Sequence, residues 1–179
     1  MKILISGPIG SGKTTQGKLL AAFLNIPLIG TGEALRQMAE APNSLGEKIK
    51  QELKKGDLVD DNLVAEVVKE RISCGDCQNG FVMDGYPRAF SQLQLFDPKF
   101  NKVFYLQILD EEIIKRLIKR GRSDDQPDII QKRLALYHQL TEPVLAYFKN
   151  QGVLIEIDGL GTIDEIQRMI RQNLDETKK

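Results

Sequence analysis

The chain has 179 residues, with 25 Lys plus Arg against 25 Asp plus Glu and a formal net charge of zero. That length suits one domain that buries a core of its own without disulfide or metal staples, and the balanced charge leaves no global field to draw it to nucleic acid or an anionic membrane. No apolar run approaches the roughly 18 residues of a membrane span, and the stretch before the first glycines is too short for a signal-peptide core, so a cytoplasmic protein is expected.

Lys2 to Ser6 is a short apolar run that stops at Gly7, the pattern of a buried parallel strand. Lys13 to Leu24 carries Leu19, Leu20, Phe23 and Leu24 on one helical face. Pro27 to Ile29 predicts a second strand. Thr31 to Glu40 predicts a helix, which Pro42-Asn43-Ser44 breaks before another from Leu45 to Lys55, ended by Gly56-Asp57. Asp60 is placed to cap a helix that reaches Ser73. Phe81 to Met83 reads as a third strand, Ala89 to Phe96 as a short helix, and Lys102 to Leu109 as a fourth strand. Asp110 is expected to cap a helix stopping at Gly121, and Asp128 to Lys149 reads as one long helix bent at Pro143. Val153 to Ile157 is a fifth strand, Thr162 to Leu174 a closing helix, and the tail beyond it should fray. Strands alternating with helices in this way predict an α/β domain over 1–179, a five-stranded parallel sheet with helices on both faces. Residues 31–60 interrupt the rhythm with two helices and no strand, and read as an inserted helical arm.

Gly7-Pro8-Ile9-Gly10-Ser11-Gly12-Lys13-Thr14 matches G-x-x-x-x-G-K-[ST] in full, after a predicted strand and at the start of a predicted helix. Glycines let the backbone wrap a phosphate with several N–H groups pointing inward, and the following helix adds its positive end. Lys13 can reach the β- and γ-phosphates, and Thr14 or Thr15 offers a hydroxyl to Mg²⁺ or to a phosphate oxygen. The motif alone does not name the acceptor, because GTPases, motor ATPases and small-molecule kinases all share it.

Asp84 ends an apolar strand at the carboxyl edge of the expected sheet, where ligands bind. A carboxylate there can hold Mg²⁺ through water, or it can be a plain turn residue. Arg88 can grip a second phosphate in bidentate fashion. Gln92, one helical turn on, carries an amide able to pair with the N6 and N7 edge of adenine. Arg116, Arg120, Arg122 and Arg133 crowd the stretch that follows the fourth strand. Arg116 and Arg120 share a helix face and repel unless an anion or carboxylate lies between them.

Six ordered segments resemble the adenylate kinase family and, more broadly, the nucleoside monophosphate kinases. They are Gly7 to Gln16, Thr31-Gly32-Glu33-Ala34-Leu35-Arg36, Gly56-Asp57-Leu58-Val59-Asp60-Asp61, Asp84-Gly85-Tyr86-Pro87-Arg88, Arg120-Gly121-Arg122-Ser123-Asp124-Asp125, and Tyr137 through Thr141-Glu142-Pro143. The resemblance implies a P-loop NTPase fold with a helical monophosphate-binding arm at 31–60 and a short lid at 120–128. It implies Mg-dependent, reversible transfer of the ATP γ-phosphoryl group to AMP, giving two ADP. Gly10, Ser11, Gly12, Lys13, Thr14, Thr15, Arg116, Arg120 and Gly161 would serve ATP. Thr31, Arg36, Leu58, Val59, Gly85, Arg88, Gln92, Arg122 and Arg133 would serve AMP. Lys13, Asp84, Arg88, Arg120, Arg122 and Arg133 would carry catalysis, Thr14 and Asp84 would hold Mg²⁺ partly through water, and Asp125 would pair with the lid arginines.

Phosphoryl transfer needs little beyond positioning and charge neutralisation, and the acceptor phosphate is already an anion, so no general base is demanded. His138 is therefore read as structural. Leu35 and Val64 read as core that could also wall the base pocket. Glu33 replaces the family's usual Asp, Thr14 replaces its usual Gly, and Asp57 brings a negative charge close to the acceptor site. Only Gly121 separates Arg120 from Arg122, so the lid has no room for zinc ligands. Cys74 and Cys77 form a Cys-x-x-Cys in a polar loop after a helix, where neither a zinc site nor a redox motif is expected. No spare apolar stripe remains, so a monomer is expected, with ATP and AMP as its partners. A UMP/CMP-type kinase and a non-catalytic nucleotide-binding regulator are the alternatives. By the resemblance, Thr31 and Gln92 favour adenine over the first, and the arginines around the transferred group argue against the second.

Overall fold

In the computed structural model, which describes residues 1–122 and 125–175, the expected alternation is present throughout. The elements run β1 (Lys2–Ser6), α1 (Lys13–Leu24), β2 (Leu28–Gly30), α2 (Thr31–Ala39), α3 (Ser44–Lys55), α4 (Asp61–Ile72), β3 (Phe81–Asp84), α5 (Phe90–Leu95), β4 (Lys102–Gln107), α6 (Asp110–Arg120), α7 (Pro127–Leu136), α8 (Glu142–Asn150), β5 (Leu154–Asp158) and α9 (Ile163–Asp175). The strands form one five-stranded sheet in the order β2-β3-β1-β4-β5, with every pair parallel. The chain leaves β1 for α1 on one face of the sheet, whereas β2 and β3 lead to helices on the other, which makes the carboxyl end of β1 a switch point where ligands bind in such sheets.

Successive side chains of a strand point to opposite faces. Leu4, with Met83, Ile29 and Val103, joins a core shared with α2, α4 and α8, whereas Ile3 and Ile5, with Val82, Phe104 and Leu106, face α1 and α9. Both faces are thus buried, which is why the strands read as unbroken apolar runs. A smaller cluster of Ile113, Leu117, Ile130 and Leu134 binds α6 to α7.

Local signals explain most of the boundaries. Asp60 accepts from the N–H groups of Asn62 and Leu63 and caps α4 as expected. Thr162 and Glu165 form a reciprocal capping pair at α9. Two expectations fail. Asp110 is not a cap: Leu109 holds that position without a side-chain bond, and Asp110 is already the first helical residue. The long helix is not a single bent rod either. A π turn over Tyr137–Thr141 separates α7 from α8, and Pro143 lies in the first turn of α8. In a regular helix the Pro143 ring would clash with the carbonyl of Gln139, and the wider π turn that contains Gln139 relieves this. The fraying expected of the tail concerns residues 176–179, which lie outside the described residues.

Candidate active site

Register places the site. Asp84, the last residue of β3, pairs with Ile5 of β1 and Gly30 of β2. The phosphate loop leaving β1, Thr31 leaving β2 and Gly85 leaving β3 therefore start side by side. Gly12 caps α1 with φ 94°, and a Cβ there would meet no atom within 4 Å, so the loop's backbone stays open on that side. Thr14 donates its hydroxyl to Asp84 Oδ2 at 2.5 Å, and Lys13 Nζ donates to the Pro8 carbonyl at 2.7 Å, folding back over the loop. Hydroxyl and carboxylate are hard oxygen donors that suit Mg²⁺ completed by water and phosphate oxygens. Among the described residues, no group of three or more His, Cys, Asp or Glu is placed to hold a metal ion by itself.

Beside the loop opens a cleft of about 510 Å³. Ser6, Gly7, Ile9 and Lys13 line it from the loop side, and Thr31, Gly32, Leu35 and Arg36 from α2. Leu58, Val59 and Val64, then Gly85, Arg88 and Gln92, and finally Arg133 of α7 complete the wall. Leu35 and Val64 are both core and wall, at 6% and 4% exposure. Thr31 is buried, and its Oγ1 has no hydrogen-bond partner among the described residues. A buried hydroxyl left in this way carries a desolvation cost that a ligand atom in the cleft would remove.

Positive charge dominates the electrostatics. Burial lowers the Lys13 ammonium from its ordinary value to about 8, with repulsion from Arg88, Arg133 and Arg120 adding to the effect and Asp84 opposing it. Burial also pushes the Arg88 guanidinium down, Asp84 again opposing and Arg133 and Arg36 reinforcing. Gly85, at φ 90°, brings its backbone close to that guanidinium: a Cβ there would lie 3.3 Å from Arg88 Nη2. A Cβ on Gly32 would lie 3.3 Å from Arg88 Nη2 and 3.6 Å from Arg36 Nη1, so the two guanidinium groups flank one stretch of backbone. Asp84 offsets part of this charge at Lys13 and Arg88, and a cleft so lined favours an anionic ligand.

The lid-side residues are placed differently. Arg120 makes a two-pronged bond to Asp125, with Nε to Oδ2 at 2.8 Å and Nη2 to Oδ1 at 2.6 Å, and the Arg122 N–H adds a third at 3.1 Å. Burial pushes the Asp125 carboxyl up, but these bonds and the Arg133 charge outweigh it and hold the group below the usual carboxylate range. Arg116 bonds Glu112 and the Gly159 carbonyl, which explains how it tolerates Arg120 one turn away. Arg116, Arg120, Arg122 and Gly161 do not line the cleft. Ser123 and Asp124 of the expected lid lie outside the described residues. Asp57 does not stand as a lone negative charge, because Lys132 of α7 pairs with it at 2.5 Å.

Two polar residues escaped the reading of site residues. Gln92 is 2% exposed, and its amide is already engaged: Oε1 accepts from the Arg88 N–H and Nε2 donates to Asp61 Oδ1, each at 2.8 Å. Thr141, in the π turn, donates to the Arg88 carbonyl at 2.7 Å. Asp61 sits beside a helix cap and Thr141 inside a helical pattern, so only the folded chain reveals their partners.

The geometry agrees with what this chain is similar to. The family model described as adenylate kinase matches residues 5–153. The chain is 37% identical to an adenylate kinase of Trichodesmium erythraeum (strain IMS101), over 98% of each chain. It is 35% identical to one of Chelativorans sp. (strain BNC1), over 95% of this chain and 96% of that one. A third, of Xylella fastidiosa (strain M12), is 37% identical over 95% and 97%. With the match running from β1 to the threshold of β5, and whole relatives aligned to nearly the whole chain, this protein belongs to the adenylate kinase family.

Proposed function

We propose that this chain is a nucleoside monophosphate kinase that transfers the γ-phosphoryl group of ATP to AMP, reversibly, giving two ADP. The observation that carries the reading is the convergence of Lys13, Arg88 and Arg133 around one cleft between the phosphate loop and the helical arm. In this reading Gly10 to Thr15 cradle the ATP phosphates, with backbone N–H groups and the start of α1 supplying positive potential. Mg²⁺, arriving with ATP, would be held through Thr14 and Asp84 and would neutralise charge between the β- and γ-phosphates. Arg36 and Arg88 take the AMP phosphate, Thr31, Gly85, Leu58 and Val59 border its base, and Gln92 reads the adenine edge. Arg120, Arg122 and Arg133 share the charge that spreads over the moving group's oxygens. Arg116 and Gly161 border the ATP base. Residues 31–60 act as the acceptor arm and 120–128 as the lid of a cytoplasmic monomer.

Arg88 tests the assignment most simply, because the neighbouring backbone is built around its guanidinium. Arg88→Ala should lower kcat/KM for AMP by two or more orders of magnitude, leaving KM for ATP within a few-fold. A loss under about threefold means that Arg88 is not a phosphate ligand.

A further inference from the structure

We infer that Asp61 determines the base selectivity of the acceptor site by fixing which way the Gln92 amide faces. The inference rests on the reading of Gln92 as the residue that meets the acceptor base. A glutamine amide has nearly equivalent O and N ends and can turn over to suit either of two partners. Here it cannot. Its Oε1 meets a backbone N–H, that of Arg88, which only donates; its Nε2 meets a carboxylate oxygen, that of Asp61, which only accepts. Turning the amide over would set two donors against each other and two acceptors against each other. The carboxylate is itself held, because Ser91 donates to its other oxygen, Oδ2. Asp61 opens α4, and the cap made by Asp60 fixes that backbone.

With one N–H and one lone pair committed, Gln92 keeps one of each for a ligand, and their order is fixed. Adenine offers a donor at N6 beside an acceptor at N7 and can satisfy both. Guanine presents either two acceptors, O6 and N7, or an acceptor beside a donor, O6 and N1–H, so an amide fixed in the order that suits adenine confronts O6 with its own oxygen on either edge. An amide free to turn could instead give its N–H to O6 and accept from N1–H, satisfying guanine as fully as adenine. Asp61 is therefore a positioning residue that converts an adaptable side chain into a selective one.

The test compares AMP with GMP as acceptors of Mg·ATP in wild type, Gln92→Ala, Asp61→Ala and Asp61→Asn, with a thermal melt confirming that each folds. Asp61→Ala should lower the ratio of kcat/KM for AMP over GMP by roughly ten- to a hundredfold, with KM for ATP within about twofold. Asp61→Asn retains an accepting oxygen for Nε2, can turn its own amide nitrogen to Ser91, and should keep the ratio within about threefold of wild type. A merely structural role for Asp61 predicts equal losses with both acceptors and an unchanged ratio, and that result overturns the inference. A wild-type ratio near one, or one insensitive to Gln92→Ala, removes the base-reading role of Gln92 and this inference with it. A ratio lost in Gln92→Ala but intact in Asp61→Ala removes the inference alone.

Discussion

At Lys13, burial and charge pull against each other. The ammonium is held among Arg88, Arg133 and Arg120 with Asp84 as the counterweight, and its pKa falls to about 8. A polyphosphate laid along the loop favours the charged form, so the pKa must rise on binding. ATP binding without acceptor should therefore take up about half a proton near pH 8. Calorimetry in two buffers of different ionisation enthalpy measures this uptake, and Lys13→Met should abolish it. No uptake in wild type means that the ammonium was already fully charged. Lys13, Asp84 and Arg88 were legible in the sequence because a glycine pattern and a strand end give their places away. Asp61 and Thr141 were not, because their importance lies in Gln92 and Arg88, which reach them only across the folded chain.

Where α6, the π turn and α8 meet, His138 links the elements. Its Nε2 lies 2.9 Å from Asp110 Oδ2 and its Nδ1 lies 2.7 Å from Glu142 Oε1. Only the imidazolium can donate to both carboxylates, and the bonds to Asp110 and Glu142 raise its pKa above the ordinary 6.5. A raised folded-state pKa means stability that is fully present below the unfolded value and lost as pH rises through the folded one. The melting temperature of wild type should thus exceed that of His138→Ala by more at about pH 6 than at about pH 9. The difference should correspond to less than about 1 kcal/mol, because the pair is exposed. A gap that is constant with pH contradicts the ion-pair account. The sequence placed His138 in a structural role but assigned Asp110 to a cap, since an acidic residue at a helix start fits either use. The π turn was hidden because the apolar pattern runs on through it, and Pro143 marked the disturbance one turn late.

Across the whole molecule, the sheet supplies an edge and the helices close a cleft over it. Five strands and their parallel sense could be read from short apolar runs separated by helices. The order β2-β3-β1-β4-β5 could not, because it depends on which strands pair across long crossovers. The helical arm of residues 31–60 does not stand alone. Lys132 of α7 bonds both Asp57 and the Lys55 carbonyl, and Gly56 packs so closely on Ile129 that a Cβ there would lie 3.0 Å away. Arm and α7 thereby bound a single cleft, with the phosphate loop as its floor and arginines as its wall. That arrangement suits a phosphoryl group held between two nucleotides, with the acceptor chosen by its base. The most direct measurement mixes the protein with Mg·ATP and each of AMP, GMP, UMP and CMP in turn and follows the diphosphates formed. The account predicts two ADP for each AMP consumed and a kcat/KM for AMP at least about tenfold above the others. Faster turnover with UMP or CMP, or no turnover with any of the four, would contradict it.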